Sequence, residues 1–588
     1  MNKKYNWHLE EIFKNKEEFN EMKELFKQDL EEIKKFEGIL CKSADNLYNC
    51  HLIYEQALEK LEKLYSYGML FYHLDMAKQE GIKLFKEVEG LSAELQRATA
   101  FITPEITYTD TNTIKSYLEE DKRLSRYERI INEILEDKKH ILSKEEENLL
   151  ANYAEVFSAP ENTFDILTNA EFKFGEIIKE DGQTEEMTDS TYSLYLNDKN
   201  ENIRKQAFDL MYNKYQEFIN TITELYLSNV KTTSINAKLR NYQSSLEKAV
   251  KKDDASLKVY DSLIKTIDKN IQINHEFIEI KKKLLNKSDF HIYDLYVNPF
   301  NDDKEKIEFE DARKEVEQAL KVMGEEYSNK ITEAFDNDWI DVYAKPNKRG
   351  GAYSMDVYGV HPFVLLNFVK NKRDVSTIAH ELGHSMHSYY SSSNQDVIDA
   401  NYTIMVAEVA STVNEIILSD YQVKKEQDKK KKAELIYELL EMIRATLFRQ
   451  SMFAEFEKIV HDKVEKQESL ASEDLNDIYY KLNEKYFGSN MIIDKQIQYE
   501  WARIPHFYTD FYVYKYATGI SAAISIASNI LSKGEPFVEK YINMLKQGRS
   551  KKSIDLLKMV DVDLEDTIVY QNAMDFYKNK IEELKELI

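Results

Sequence analysis

The scarcity of glycine is the feature that most constrains how this chain can fold. Its 588 residues include 15 glycines and 7 prolines, and no glycine occurs between Gly182 and Gly324. Because glycine and proline interrupt regular helices, so long a stretch without glycine favours long helices. Apolar residues also recur at steps of three and four, as in Met574, Tyr577 and Ile581, which is the spacing of one helical face. We therefore predict a mainly α protein.

The charge balance and the hydrophobic pattern exclude several classes of partner. The chain has 105 acidic and 80 basic residues and a formal net charge of −25, which repels nucleic acid and anionic membrane surfaces. We find no apolar signal-peptide region at the start and no apolar run of about 18 residues that could span a bilayer. Its two cysteines, Cys41 and Cys50, are too few for a disulfide framework. We expect a cytoplasmic protein that binds neither nucleic acid nor membranes.

One stretch departs from the helical pattern. Residues 339–369 contain three glycines, two prolines and the apolar run 363–369, which together predict a small sheet with turns. The next segment predicts a helix through Ile378, Leu382 and Met386, with Asp374 or Ser376 as its N-cap.

That helix carries a pattern typical of zinc peptidases. His380, Glu381 and His384 form the motif H-E-x-x-H, which projects two imidazoles from one helical face about 5–6 Å apart. Both rings could bind one zinc ion, and Glu381 could accept a proton from the water activated there. The third histidine of metzincins is absent, because Tyr390 stands at its position and His387 replaces the expected glycine.

A catalytic zinc needs a third protein ligand. Glu408 lies in the apolar stretch 405–413, where a lone carboxylate must be paired, hydrogen-bonded or bound to a metal. We therefore predict Glu408 as the third ligand. Glu415 lies seven residues later on the same helical face and is the alternative ligand, or else it orients a histidine. We interpret His361 and His387 as packing or rim residues.

These motifs resemble oligoendopeptidase F, a branch of the thimet oligopeptidase-like metallopeptidases. The resemblance is dense between residues 339 and 519 and weaker over the first 330 residues. It is carried by segments 348–354, 379–387, 406–412, 446–450, 453–456, 504–508 and 511–519.

The resemblance implies a two-lobed, helical, zincin-like fold. It implies a deep substrate channel with zinc on its floor and a small β-sheet beside the zinc helix. We place a helical N-terminal lobe at residues 1–190 and the catalytic domain at residues 191–588. Such a channel would admit short peptides and exclude folded proteins.

The resemblance also implies further site residues. It assigns stabilisation of the oxyanion to His506 and Tyr514, with Tyr512 and Tyr508 as neighbours, and it places Gly351 on the substrate-binding side. In addition, we expect the apolar run 363–368 to be an edge strand on which the peptide backbone docks.

Together, these features predict a zinc-dependent endopeptidase that cleaves internal bonds of short peptides with one Zn²⁺ per chain. Two alternatives remain at this point. One is a carboxypeptidase with the same motif, and the other is a helical scaffold whose zinc site is no longer active. The sequence favours neither a monomer nor an oligomer.

Overall fold

The structure is a computed structural model and describes residues 5–300 and 306–588. Helices contain 73% of the residues, which confirms the prediction of a mainly α fold. In chain order the helices are α1 (Lys16–Lys34), α2 (Ala44–Leu74), α3 (Gln79–Thr99), α4 (Ile102–Tyr108), α5 (Thr111–Glu120), α6 (Glu128–Asp137), α7 (Lys144–Asn152), α8 (Ala154–Phe157), α9 (Ala159–Asp165), α10 (Asp189–Leu196), α11 (Glu201–Glu217), α12 (Ile219–Leu239), α13 (Ser245–Lys252), α14 (Leu257–Leu284), α15 (Phe309–Ala319), α16 (Gly324–Asp336), α17 (Lys372–Ser392), α18 (Val397–Ala400), α19 (Ile404–Lys425), α20 (Lys429–Ile443), α21 (Arg449–Glu465), α22 (Ser472–Phe487), α23 (Tyr514–Lys533), α24 (Glu535–Leu545), α25 (Ser553–Lys558) and α26 (Thr567–Lys585). The strands are β1 (Glu176–Ile178), β2 (Thr184–Glu186), β3 (Ile340–Tyr343), β4 (Tyr353–Met355) and β5 (Phe363–Phe368).

The chain packs into two compact units, and each of them is discontinuous in sequence. The first unit comprises Met1–Lys144, Glu305–Tyr421 and Ile526–Val562, and the second comprises Glu145–Lys304, Gln422–Ser525 and Asp563–Ile588. These breaks differ from the division at residue 190 that we expected. A helix joins the unit whose core its apolar face covers, and that core can be built from distant parts of the chain.

The first unit contains a helical core built by α1, α2 and α3. Phe26, Ile33, Leu47, Leu64 and Val88 are fully buried in one apolar cluster. Side-chain caps at Asn15 and Ser43 accept hydrogen bonds from backbone N–H groups in the first turns of α1 and α2. Capping and an apolar face therefore agree in α1 and α2.

A three-stranded sheet in the same unit confirms the sheet predicted for residues 339–369. Its order is β3-β5-β4, with β3 parallel and β4 antiparallel to β5. The prediction that residues 363–368 form an edge strand is wrong, because β5 is central and β4 is an edge. The almost continuous apolar run of β5 is typical of a strand that is buried on both faces.

Helix α17 packs beside this sheet and begins earlier than expected. Its N-cap is Asn371, so the predicted caps Asp374 and Ser376 are wrong. The Asn371 side chain accepts the Asp374 N–H at 2.9 Å, and the Asp374 carboxylate accepts the Asn371 N–H at 3.1 Å. This reciprocal capping box adds a first turn to the helix that carries the H-E-x-x-H motif.

In the second unit, α14 packs along α26, and α12 packs against α21 and α22. The periodic residues Met574, Tyr577 and Ile581 of α26 are fully buried, as their spacing predicts. Among residues 5–300 and 306–588, no helix is long and apolar enough to cross a membrane.

Candidate metal centre

Helix α17 holds the two motif histidines one turn apart on the same face. The Nε2 atoms of His380 and His384 lie 3.3 Å apart, and the ring planes are nearly perpendicular, at 79°. Side chains at positions i and i+4 of a helix are neighbours, so this arrangement follows from the spacing of the motif.

Helix α19 brings Glu408 to both histidines. Its Oε2 atom lies 3.6 Å from Nε2 of His380 and 3.7 Å from Nε2 of His384. Two ligands bound to zinc at about 2.0–2.1 Å with tetrahedral angles lie about 3.3–3.4 Å apart. The three atoms therefore form a triangle close in size to one face of a zinc tetrahedron, and these residues could hold a metal ion.

A glycine inside the motif permits this close approach of α17 and α19. A Cβ atom on Gly383 would lie 2.6 Å from the Ala410 carbonyl oxygen and 2.6 Å from the Ser411 Cα atom. The two backbones are thus nearly in contact, two to three residues from Glu408. Sequence reasoning missed this role of Gly383, although a glycine in the interior of an apolar helix is the signal for such a contact.

Hydrogen bonds orient the candidate ligands. The Nδ1 atom of His380 is hydrogen-bonded to the Glu415 carboxylate, and the Ala407 carbonyl faces the His384 ring. Glu415 therefore contacts the ring nitrogen of His380 that faces away from Glu408. A carboxylate bonded to the second nitrogen of a histidine fixes the ring for metal binding through the first nitrogen.

The two histidines differ in their affinity for protons. Although burial lowers the pKa of His380, the hydrogen bond and charge of Glu415 raise it to about 9. Burial and the positive charge of His380 lower the pKa of His384 to about 4. In the absence of a metal, one proton on His380 thus neutralises part of the negative charge of the neighbouring carboxylates, among them Glu408 and Glu415. A metal ion would take the place of this proton.

Glu381 is buried beside the candidate ligands and keeps one oxygen without a partner. Its side chain is 6% exposed, and its Oε2 atom has no hydrogen-bond partner among the described residues. The Ser354 backbone N–H on β4 faces its carboxylate and opposes the rise in its pKa. Burial raises the pKa of Glu381 to about 7; the charges of Glu408 and Glu415 also raise it, and His380 opposes the shift. A carboxyl group with this pKa can accept and release a proton near neutral pH.

The other residues expected from the resemblance lie in the second unit, apart from Gly351. His506 is exposed, and its Nε2 atom lies 3.4 Å from the hydroxyl of Tyr516. The half-exposed ring of Tyr512 lies 5.9 Å from the His506 ring. Tyr516 belongs to the resembling segment 511–519, and its ring lies 5.5 Å from that of Tyr512.

Tyr514 and Tyr508 are buried in the second unit. The Tyr514 hydroxyl donates a hydrogen bond to Asp253 at 2.8 Å, and Lys515 pairs with the same carboxylate. Tyr508 stacks on Phe164 with ring centroids 4.6 Å apart. Within this unit, the Tyr514 hydroxyl therefore already has a structural partner.

Gly351 lies in the first unit, just before β4. Its φ angle of +82° favours glycine, and its carbonyl oxygen accepts a hydrogen bond from the Asn367 side chain at 2.7 Å. This bond fixes the chain where it enters β4.

His387 and His361 are packing residues, as predicted. His387 stacks on Tyr402 with centroids 3.6 Å apart, and burial lowers its pKa to about 3. His361 stacks on Trp339 at 4.7 Å. Neither residue joins His380, His384 and Glu408 in the metal-binding cluster found among the described residues.

Most of the chain matches known protein families. The profile described as Peptidase family M3 matches residues 194–576, and the profile described as Oligopeptidase F matches residues 105–174. Oligopeptidase PepF of Bacillus subtilis (strain 168) is 38% identical over 582 residues, which cover 99% of this chain and 87% of that protein.

Solved structures give the same result. A crystal structure from Chlamydophila abortus superposes with a TM-score of 0.92 at 31% identity and covers 100% of this chain and 99% of the other. Oligoendopeptidase-F from Enterococcus faecium superposes with a TM-score of 0.74 at 31% identity and covers 97% and 98% of the two chains. The resemblance inferred from the sequence is confirmed, and the chain belongs to peptidase family M3, a family of metallopeptidases.

Proposed function

We propose that this protein is a zinc-dependent endopeptidase that cleaves internal bonds of short oligopeptides in the cytoplasm. His380, His384 and Glu408 hold one zinc ion per chain, and Glu381 is the general base. The observation that carries the proposal is the triangle of two Nε2 atoms and one carboxylate oxygen beside the buried, unpartnered Oε2 atom of Glu381. The relatives named oligopeptidase and oligoendopeptidase support peptides as the substrate class.

Bound zinc would supply Lewis acidity, which polarises the scissile carbonyl and lowers the pKa of the attacking water. Glu381 accepts the proton of that water at its free oxygen and delivers it to the nitrogen of the leaving amine. Its burial and its unpartnered Oε2 atom suit this role, because that oxygen is free to take up the proton. Glu415 holds the His380 ring so that Nε2 faces Glu408.

The peptide backbone docks on the free edge of β4 in this proposal. The Gly351 carbonyl is turned toward β5, where it is bonded to Asn367. Since β4 is an edge strand, the N–H and C=O groups that it does not direct at β5 face the free edge. There they can pair with an extended peptide by strand addition. The Ser354 N–H of the same strand faces Glu381 and so places the docking edge beside the general base.

The role in oxyanion stabilisation that the resemblance implies for His506 and Tyr514 stays a prediction. The bond between the Tyr514 hydroxyl and Asp253 favours Tyr512 over Tyr514 as the hydroxyl donor. Tyr512 is half-exposed and lies beside His506.

The test combines metal analysis with cleavage mapping of an internally quenched peptide of about ten residues, long enough to pair along a strand. We expect one zinc per chain and internal cleavage that stops on chelation and returns with zinc. Glu408→Ala should lose zinc, and Glu381→Gln should keep zinc while kcat falls by about 10²–10⁴. Glu89→Ala, which replaces an exposed glutamate of α3, is the control and should behave as wild type.

Two results would contradict parts of the proposal. Full zinc retention in Glu408→Ala would move the third ligand to Glu415. Stepwise release of terminal residues would indicate a carboxypeptidase instead of an endopeptidase.

A further inference from the structure

An arginine without an ion pair lies next to the docking edge of β4. Among the described residues, every arginine except Arg97, Arg349 and Arg373 forms an ion pair with a carboxylate. Acidic residues outnumber basic residues by 105 to 80, so counterions for an arginine are plentiful. Arg349 is exposed and stands four residues before the first residue of β4.

The backbone that carries Arg349 is held on both sides. Its N–H donates to the His73 carbonyl at 2.9 Å, and its carbonyl accepts a hydrogen bond from Asn367 at 2.8 Å. The preceding residue, Lys348, is buried, and its Nζ atom lies 2.6 Å from the Asp341 carboxylate and 2.5 Å from the Leu366 carbonyl. The main chain is therefore fixed while the guanidinium remains available to a ligand.

The positive charge of Arg349 affects the pKa values of groups at and beside β4. Burial, together with the positive charge of Arg349, lowers the pKa of His73 to about 4. The His73 ring is hydrogen-bonded to the Tyr353 hydroxyl at 2.8 Å, and the Arg349 charge also acts on Tyr353. The guanidinium thus lies within electrostatic range of the first residue of the strand that would dock the peptide.

We propose that Arg349 is a specificity-determining residue that binds a carboxylate of the docked peptide. This inference rests on the proposed endopeptidase function. An arginine presents a planar fork of N–H donors that matches a carboxylate, and a fixed backbone lowers the entropic cost of binding. The carboxylate comes either from the C-terminus of the peptide or from an acidic side chain.

The position of Arg349 predicts where that carboxylate stands. Arg349 precedes Ser354, whose N–H faces Glu381, by five positions, which is at most about 17 Å of extended chain. The loop at Gly350 and Gly351 shortens this distance. A peptide paired with β4 would therefore place the carboxylate about three to five residues from the cleaved bond.

The experiment uses the zinc-loaded, full-length enzyme and matched pairs of internally quenched peptides. One arm compares peptides that end in a free carboxylate with the same peptides ending in an amide. The second arm uses amidated peptides and compares aspartate with asparagine at each position three to five residues from the cleaved bond, on either side. The readout is the ratio of kcat/KM within each pair, which a change in folding or zinc content does not alter.

We expect wild type to prefer the carboxylate form by about fivefold in at least one pair, the strength of an exposed bidentate ion pair. Arg349→Gln should bring that ratio to about one, and Arg349→Lys should keep part of it. Arg97→Gln removes another exposed arginine without an ion pair and should keep the wild-type ratio. Added salt should lower the wild-type ratio, because it screens an exposed ion pair.

The outcomes separate this inference from the function on which it rests. A preference in the first arm assigns the terminal carboxylate, and one in the second arm assigns an acidic side chain. If wild type cleaves both members of every pair equally, or if Arg349→Gln keeps the preference, the role of Arg349 is overturned and the endopeptidase remains. If zinc-loaded wild type cleaves no peptide, the proposed function fails and this inference fails with it.

Discussion

Replacing Gly383 by alanine should disturb the metal centre through the contact between α17 and α19. The new Cβ atom would lie 2.6 Å from two backbone atoms of α19, whereas ordinary contact begins at about 3.4 Å, so the helices must separate by about 0.8 Å. No side-chain rotation can relieve this clash, because the atoms that it meets belong to the backbone. Glu408 would move away from His380 and His384.

Two energetic effects oppose each other in this variant. Alanine is favoured over glycine in a helix interior by about 1 kcal/mol. Overpacking of a close-packed contact costs about 1–3 kcal/mol. We therefore expect Gly383→Ala to lower the free energy of unfolding by up to about 2 kcal/mol. Zinc affinity should fall by about tenfold or more, as it does when the support of a metal ligand is disturbed.

The assay combines denaturant unfolding of the metal-free protein with zinc competition against a chromophoric chelator. Gly90→Ala is the matched control, because Gly90 also lies in a helix but a Cβ atom there would meet open space. That variant should be more stable than wild type by about 0.4–1 kcal/mol and should bind zinc normally. Equal stability gains and equal zinc affinities in the two variants would refute the reasoning.

Two further predictions follow from the charges in the first unit. Glu415→Gln should weaken zinc binding by about tenfold, measured by chelator competition, because the anionic support of His380 is lost; an unchanged affinity would argue against that support. Burial and the nearby Asp356 raise the pKa of Glu62 to about 7. Its carboxyl group is therefore harder to ionise in the folded protein than in the unfolded chain, and the free energy of unfolding falls as the pH rises from about 4.5 through 7. Glu62→Gln keeps an acceptor for the Tyr358 N–H and should raise the free energy of unfolding at pH 8 by about 1–2 kcal/mol, with little gain at pH 4; a gain that does not depend on pH would contradict this assignment.

The local elements of the site could be predicted from the sequence. Few glycines and a repeat of three and four residues indicate helices, because these properties act within a few turns of chain. The spacing of His380 and His384 is likewise enough to place both imidazoles on one face. The sheet at residues 339–369 was visible from its turn residues and its apolar run, but its strand order was not. An apolar run indicates a buried strand without indicating its neighbours.

The sequence by itself determined that the chain is mainly helical and that its H-E-x-x-H helix can hold a metal. It favoured Glu408 over Glu415 as the third ligand but could not give the position of either carboxylate, since the two lie seven residues, or about 10.5 Å, apart on one helical face. The crossing of α17 and α19 at Gly383 fixes both positions, because it sets Glu408 beside both Nε2 atoms and Glu415 beside Nδ1 of His380. In the same way, only packing shows that the Tyr514 hydroxyl is bonded to Asp253 while Tyr512 stays half-exposed. These distances depend on residues far apart in the chain, and a periodicity within one helix carries no information about them.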